Sequence, residues 1–186
     1  MRKASILFLI ISLLNSCKAK NEEQIVTVED KYSLSIPSFL TKVTNLNSDA
    51  SLQYQHVWKE FYIIVIDESK DEMKTVLEEN NMTSFYHNDL DGYSKLLLDS
   101  FKGEISNVNQ SVVLDTILNG LPAKLTTLTG RVEGIDVFYS IGFYEGKDRY
   151  YQVLSWTTSS NKYLYNSKME KILYSLRELK NKDNVQ

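Results

Sequence analysis

The chain has 186 residues, 21 basic and 24 acidic, for a net charge of −3 with both signs interspersed. No basic stripe of the kind nucleic-acid binding needs is present, so a nucleic-acid partner is excluded. A single cysteine, Cys17, rules out an intramolecular disulfide framework, and the length suits one domain with one sizeable core.

The first element is a sorting segment. Arg2 and Lys3 precede an uncharged run, Ala4 to Leu14. A basic start and a short apolar core form the pattern of a secretory signal peptide. At about 1.5 Å per residue the run gives roughly 16 Å of helix, about half of a bilayer core. The next residues, Leu14-Asn15-Ser16-Cys17, resemble the bacterial lipobox: an aliphatic residue, a variable one, a small one, then cysteine. That resemblance implies a diacylglyceryl thioether on Cys17, cleavage before it, and acylation of the new amino terminus. Two or three acyl chains make such an anchor stable, whereas one binds reversibly. Residues 1–16 are thus read as a lipoprotein signal peptide, and 17–24 as lipidated cysteine and polar tether. Cleavage removes two basic residues and leaves 19 basic against 24 acidic, a net of −5. Lys18 rather than Asp follows Cys17, so the usual cue for inner-membrane retention is absent and the outer membrane of a Gram-negative cell is favoured.

Residues 25–180 are read as one domain, and 181–186 as a polar tail. "QIVTVED" and "YSLSIP" predict two short strands around Lys31, the second ended by Pro37. Residues 51–70 predict a hairpin turning at Lys59-Glu60. Leu52, Tyr54, His56 and Trp58 share one face of it, opposite Val65, Ile63 and Phe61. Ser69 and Glu72 have capping-box spacing and open a helix carrying Met73, Val76 and Leu77. A second helix, near 89–102, places Leu90, Tyr93, Leu97 and Phe101 on one stripe before Gly103. A meander follows: "SVVLDTIL", the turn Asn119-Gly120, "LPAKLTTLTGRV", a turn at Gly134, "IDVFYSIGFY" and "RYYQVLSWTT". A tight turn at Gly146-Lys147 pairs Phe143 with Tyr150 and Ile141 with Gln152. Phe138, Tyr144, Tyr151 and Val153 share the face opposite to those residues. The last helix is predicted from about Lys168 to Lys180, opened by Ser167 and Glu170 and buried through Met169, Ile172, Leu173 and Leu176. An antiparallel sheet apolar on both faces requires a cover on each, so the expected fold is α+β: a three-layer α/β/α sandwich with a central, mainly antiparallel sheet.

"YSLSIPSFL", "LNGLPAKLTTLTG", "VFYSIGFYEGKDRYYQVLSWTTSSN" and "MEKILYSLREL" together resemble the PsbP-like superfamily, over nearly all of Tyr32 to Leu179. Its DcrB-type envelope lipoproteins and Ran-binding-protein-like members are similar in having such a sandwich. The matching segments are turn and core signals. The resemblance therefore implies a binding or accessory role by analogy alone, with no catalytic residue.

No nucleophile–base constellation, Gly-rich phosphate loop or cofactor motif is apparent. His87-Asn88-Asp89-Leu90-Asp91-Gly92 superficially resembles the start of a calcium loop. An acid is missing where His87 stands and a bidentate Glu where Leu98 stands, which leaves helix capping by Asn88 or Asp89 as the better reading. His56 and His87, 31 positions apart, have no cysteine partner and point to no zinc site. Tyr144, Tyr150, Tyr151, Tyr163 and Tyr165 crowd the last hairpin and the loop after it. They form either a contact patch or core and half-buried sheet positions. The expected role is that of a lipid-anchored, non-enzymatic envelope accessory protein without cofactor or metal. Its partners are the membrane, through Cys17, and an unidentified envelope protein. A module holding a lipid or glycan against the aromatic sheet is the alternative.

Overall fold

The computed structural model describes residues 22–179. Cys17, the signal segment and the 181–186 tail lie outside the described residues.

Strand β1 (Glu23–Val28) pairs antiparallel with β2 (Tyr32–Pro37). It takes in Glu23 and Gln24, which the sequence assigns to the tether. Alternation in β2 turns Tyr32, Leu34 and Ile36 fully inward and leaves Ser33 and Ser35 half-buried. A two-residue strand late in the chain, β11 (Arg177–Glu178), pairs on the other side of β2 and completes a small three-stranded sheet.

The large sheet contains β3 (Thr41–Lys42), β4 (Leu52–His56), β5 (Phe61–Ser69), β6 (Ser106–Gln110), β7 (Leu114–Leu118), β8 (Leu121–Val132), β9 (Ile135–Glu145) and β10 (Arg149–Thr158). Its order is β3-β4-β5-β10-β9-β8-β6, with β7 also pairing β8, and every pairing is antiparallel. Tight two-residue turns join β7 to β8 and β8 to β9. Asn119-Gly120 and Glu133-Gly134 both have two consecutive positive φ angles, as a two-residue hairpin of this hand requires.

The β4–β5 hairpin keeps the expected register: Leu52 faces Val65, Tyr54 faces Ile63 and His56 faces Phe61. A single 3-10 turn at Val57–Lys59 and a left-handed Glu60 close it, so Trp58 leaves the sheet. The β9–β10 hairpin is displaced by two residues from the expected pairing, with Phe143 opposite Gln152 and Ile141 opposite Leu154. Its loop is wider than two residues, because the Gly146 N–H donates to the Arg149 carbonyl beyond Asp148. An even displacement leaves every side chain on its expected face.

Those faces hold two cores. On one, Phe61, Ile63, Val65, Phe138, Tyr144, Tyr151 and Val153 meet β2 and helix α3 (Lys162–Ser175). On the other, Ile64, Tyr139, Ile141, Phe143, Tyr150 and Leu154 meet helices α1 (Lys70–Glu79) and α2 (Leu90–Gly103). Full burial of each large side chain contributes about 1.5–3 kcal/mol. The sandwich is therefore three-layered as expected, although one outer layer is α3 together with the small sheet.

The Ser69–Glu72 capping box opens α1, with both reciprocal bonds at 3.0 Å. Helix α3 starts at Lys162 rather than near Lys168, so Ser167 and Glu170 lie inside it. It ends at Ser175, because Leu176 turns to an extended conformation that leads into β11. Met169, Ile172, Leu173 and Leu176 are all buried as expected, and Tyr165 extends their stripe.

Candidate binding site at the sheet edge

The histidines serve local structure. His56 is half-buried, packs edge-on against Phe39, and accepts the Lys59 N–H on Nδ1 at 3.2 Å. His87 is exposed, and Asp89 is the N-cap of α2, accepting the Gly92 N–H at 2.7 Å. Among the described residues no group of three or more His, Cys, Asp or Glu is placed to hold a metal ion.

The five tyrosines do not share a surface. Tyr144, Tyr151 and, from α3, Tyr165 belong to one core and Tyr150 to the other; of the five, Tyr163 alone is exposed. Burial holds the buried phenols neutral, as hydrogen-bond donors. The Tyr144 hydroxyl donates to the Leu173 carbonyl at 2.7 Å, and a Cβ on Gly142 would sit 2.5 Å from that hydroxyl. Burial, and then Glu145 and Asp89, push Tyr150 up to about 12. Burial and Glu104 do the same to Tyr139, also to about 12. The aromatic faces are thus filled by the protein's own layers. Tyr62 and Trp156 are exceptions: they stack at 5.2 Å and remain half-exposed.

Charged groups fasten one end of the sandwich. Asp67 on β5 has a side chain only 2% exposed and accepts from Arg149 Nε at 2.8 Å, with Lys31 Nζ at 3.2 Å. It therefore ties the β1–β2 turn to the central hairpin. Burial lowers the Lys31 pKa, but hydrogen bonds to Glu29 and Asp67 outweigh that, and the net shift is upward. Glu178 on β11 accepts from the Tyr151 hydroxyl at 2.9 Å and from the Lys147 N–H, which fixes the β9–β10 turn. Tyr93 donates to Glu68 at 2.7 Å, joining α2 to β5.

At this same end an open cleft of about 300 Å³ lies between the N-terminus of α2 and strand β7. Asp89 and Asp91 of α2, Asp115 of β7 and Glu145 of β9 contribute acids to it. Lys124 on β8 is the interior cation, bridging Asp91 and Asp115 with its own side chain 14% exposed. Burial pulls the Lys124 pKa down, while hydrogen bonds to Asp115 and Asp91 push it further up. Lys70 neutralises Glu145 at 2.8 Å.

Strand β7 pairs β8 on one side only among the described residues. Its apolar side chains are unusually open: Leu114 is 53% exposed and Ile117 72%, and Val112 just before it is 91% exposed. An unpaired strand edge with exposed apolar residues is a template for another strand. The sequence marked this stretch as a strand but did not place it at an edge. The available signal was its irregular alternation, with Leu114 and Ile117 falling on opposite faces.

No family model matches the sequence, and no curated protein sequence matches it. Solved structures do resemble it. The cyanobacterial PsbP (CyanoP) of Synechocystis has a TM-score of 0.53 at 11% identity, over 89% of this chain and 98% of that one. LpqN of Mycobacterium tuberculosis, involved in cell envelope biogenesis, has a TM-score of 0.53 at 9% identity, over 85% of this chain and 91% of that one. PA94 of Pseudomonas aeruginosa, a protein of unknown function, has a TM-score of 0.53 at 11% identity, over 86% and 99%. The chain has a PsbP-like fold.

Proposed function

We propose, from a PsbP-like fold with an open sheet edge, that the protein is a lipid-anchored, non-enzymatic accessory protein of the bacterial envelope that captures another envelope protein by strand addition on β7. The observation that carries this reading is the outer edge of β7, where Leu114 and Ile117 are exposed beside the acid-lined cleft. A partner segment paired there would gain main-chain hydrogen bonds and would cover both side chains. The excess of Asp89, Asp91, Asp115 and Glu145 over Lys124 and Lys70 favours a segment carrying a basic residue.

The anchor rests on Leu14-Asn15-Ser16-Cys17. Among the described residues no helix is long and apolar enough to cross a membrane. Similarity to LpqN is compatible with an envelope role, and Lys18 after the cysteine favours the outer membrane of a Gram-negative cell.

A photo-cross-linking residue at Ile117, with a second at Val76 on the exposed side of α1, tests the reading in intact cells. The expected result is one recurrent protein companion at Ile117 and none at Val76. Equal capture at both positions, or none at Ile117, contradicts it. The half-exposed Tyr62–Trp156 stack favours a second reading, in which the flat face of a small apolar or glycan ligand rests on these rings. In a Trp58→Phe background, Trp156 fluorescence would report such a ligand directly.

A further inference from the structure

We propose that the end of the sandwich opposite the β7 cleft seats on a lipid bilayer, with Trp58 and Tyr163 in the headgroup region. This rests on the reading of Cys17 as a lipid anchor.

Two turns make that end. The 3-10 turn between β4 and β5 carries Val57, Trp58 and Lys59, and the start of α3 carries Lys162, Tyr163 and Leu164. The Glu60 carboxylate ties the turns together, accepting from the Thr158 hydroxyl at 2.8 Å and from Asn161 Nδ2 at 2.9 Å. The inward stripe of α3 begins at Tyr165, so Tyr163 and Leu164 face away from the core. Trp58 is 94% exposed, Tyr163 is 100% exposed, and Val57 and Leu164 are more than half exposed.

Fully exposed aromatic side chains gathered at one end of a domain require an explanation. The lipid–water interface supplies one, because Trp and Tyr combine an apolar ring with a polar tip and concentrate there. Lys59 and Lys162 are exposed beside them, and each basic residue near an anionic surface contributes about 1 kcal/mol. Of the acids at this end, Glu60 is engaged by Thr158 and Asn161, Asp136 pairs with Arg131 and Glu22 lies 3.9 Å from Lys168, while Glu133 in the β8–β9 turn is exposed.

The tether leaves from this end. The Glu22 carbonyl accepts the Ser38 N–H at 2.9 Å. The next residue, Phe39, packs on Phe61 and Tyr165 and lies under Lys59. Strand β1 then runs away from the tip, since Glu23 faces Pro37 and Val28 faces Tyr32. The five residue-to-residue steps from Cys17 to Glu22 span at most about 18 Å, so a lipid on Cys17 confines this end to the membrane surface and raises its effective concentration there. Strand β9, from Ile135 at the tip to Glu145 at the cleft, then carries the cleft about 33 Å from the tip. The partner-binding edge would point away from the bilayer.

The chain contains two tryptophans, Trp58 and Trp156, which allows a direct test. The full lipoprotein, recovered from membranes and checked for its acyl groups by intact mass, is reconstituted into anionic vesicles containing phosphatidylcholine brominated in its acyl chains. Wild type, Trp58→Phe and Trp156→Phe are compared. The expected result is a blue shift and quenching of emission in wild type and Trp156→Phe, and neither in Trp58→Phe. The wild-type minus Trp58→Phe difference isolates Trp58 without altering the core. Unquenched, solvent-like Trp58 emission from acylated protein overturns the docking and leaves the anchor intact. A blue shift without bromine quenching also overturns it, by identifying a protein or a second copy as the occupant. An unmodified Cys17 overturns the anchor, and the docking with it.

Discussion

Asp67→Ala probes the end of the sandwich at which the β7 cleft opens. The Asp67 carboxylate is 2% exposed and holds Arg149 at 2.8 Å and Lys31 at 3.2 Å. Removing one partner of a fully buried ion pair costs about 3–5 kcal/mol. Here the two cations retain 29% and 32% exposure, so water can recover part of their solvation once the carboxylate is gone. Lys31 also keeps Glu29 at 3.1 Å. Both discounts bring the expected loss to about 2–3 kcal/mol, still above the ~0–1 kcal/mol of an exposed pair. At about 2–4 °C per kcal/mol for a domain of this size, the melting temperature falls by roughly 4–12 °C. Urea denaturation and thermal melting by circular dichroism at neutral pH measure the change. The carrier is the Cys17→Ala chain, which cannot be acylated. A loss below about 0.5 kcal/mol would mean that the network behaves as a solvated surface pair, and the argument from burial would fail.

Gly92→Ala is expected to destabilise even though Ala is favoured over Gly in a helix by about 1 kcal/mol. The added Cβ would meet the His87 carbonyl oxygen at 1.9 Å, and displacing backbone costs more than the propensity gains. A raised urea midpoint would refute this. Alkali should weaken the fold. Lys31 and Lys124 are held above the usual 10.5, and Tyr139 and Tyr150 are each raised to about 12. Groups with raised folded pKa values stabilise fully below their unfolded values, near 10, and lose that contribution as pH rises through the folded values. Denaturation midpoints should therefore hold steady up to about pH 10 and fall between about 10 and 12, with phenolate absorbance from the buried tyrosines appearing together with unfolding. Stability that rises over that interval would contradict the assignment.

Much of the architecture was legible in the sequence because alternation is robust to errors in turns. Leu52, Tyr54 and His56 found their partners although no Asn-Gly marked the β4–β5 turn, since any odd slip would have moved Phe61, Ile63 and Val65 to the opposite core and brought Tyr62, Ile64 and Ile66 in their place. The same alternation could not fix the β9–β10 loop. A two-residue displacement changes no face, so Gly146-Lys147 alone suggested too tight a turn. The start of α3 was missed because Asn161 offers no side-chain cap, and Tyr163 and Leu164 face outward, which hides the helical period until Tyr165. Strand β6, "SNVNQ", has one apolar residue and owes its form to β8. The candidate site was the least legible part. Asp91, Asp115, Lys124 and Glu145 come from four elements, and nothing local in "LDTIL" shows that its far side lacks a neighbour. Counting tyrosines gave no guide to surface, because Tyr144, Tyr150 and Tyr151 were the residues that the two cores required.

The most direct test of lipid anchoring is the intact mass of the protein recovered from the membrane fraction of a Gram-negative host, with Cys17→Ala prepared in parallel. The expected species begins at Cys17, carries the added mass of a diacylglyceryl group and an amide-linked acyl chain, and is lost from the membrane fraction in Cys17→Ala. A soluble chain with an unmodified Cys17, or one cleaved elsewhere, would contradict the anchor.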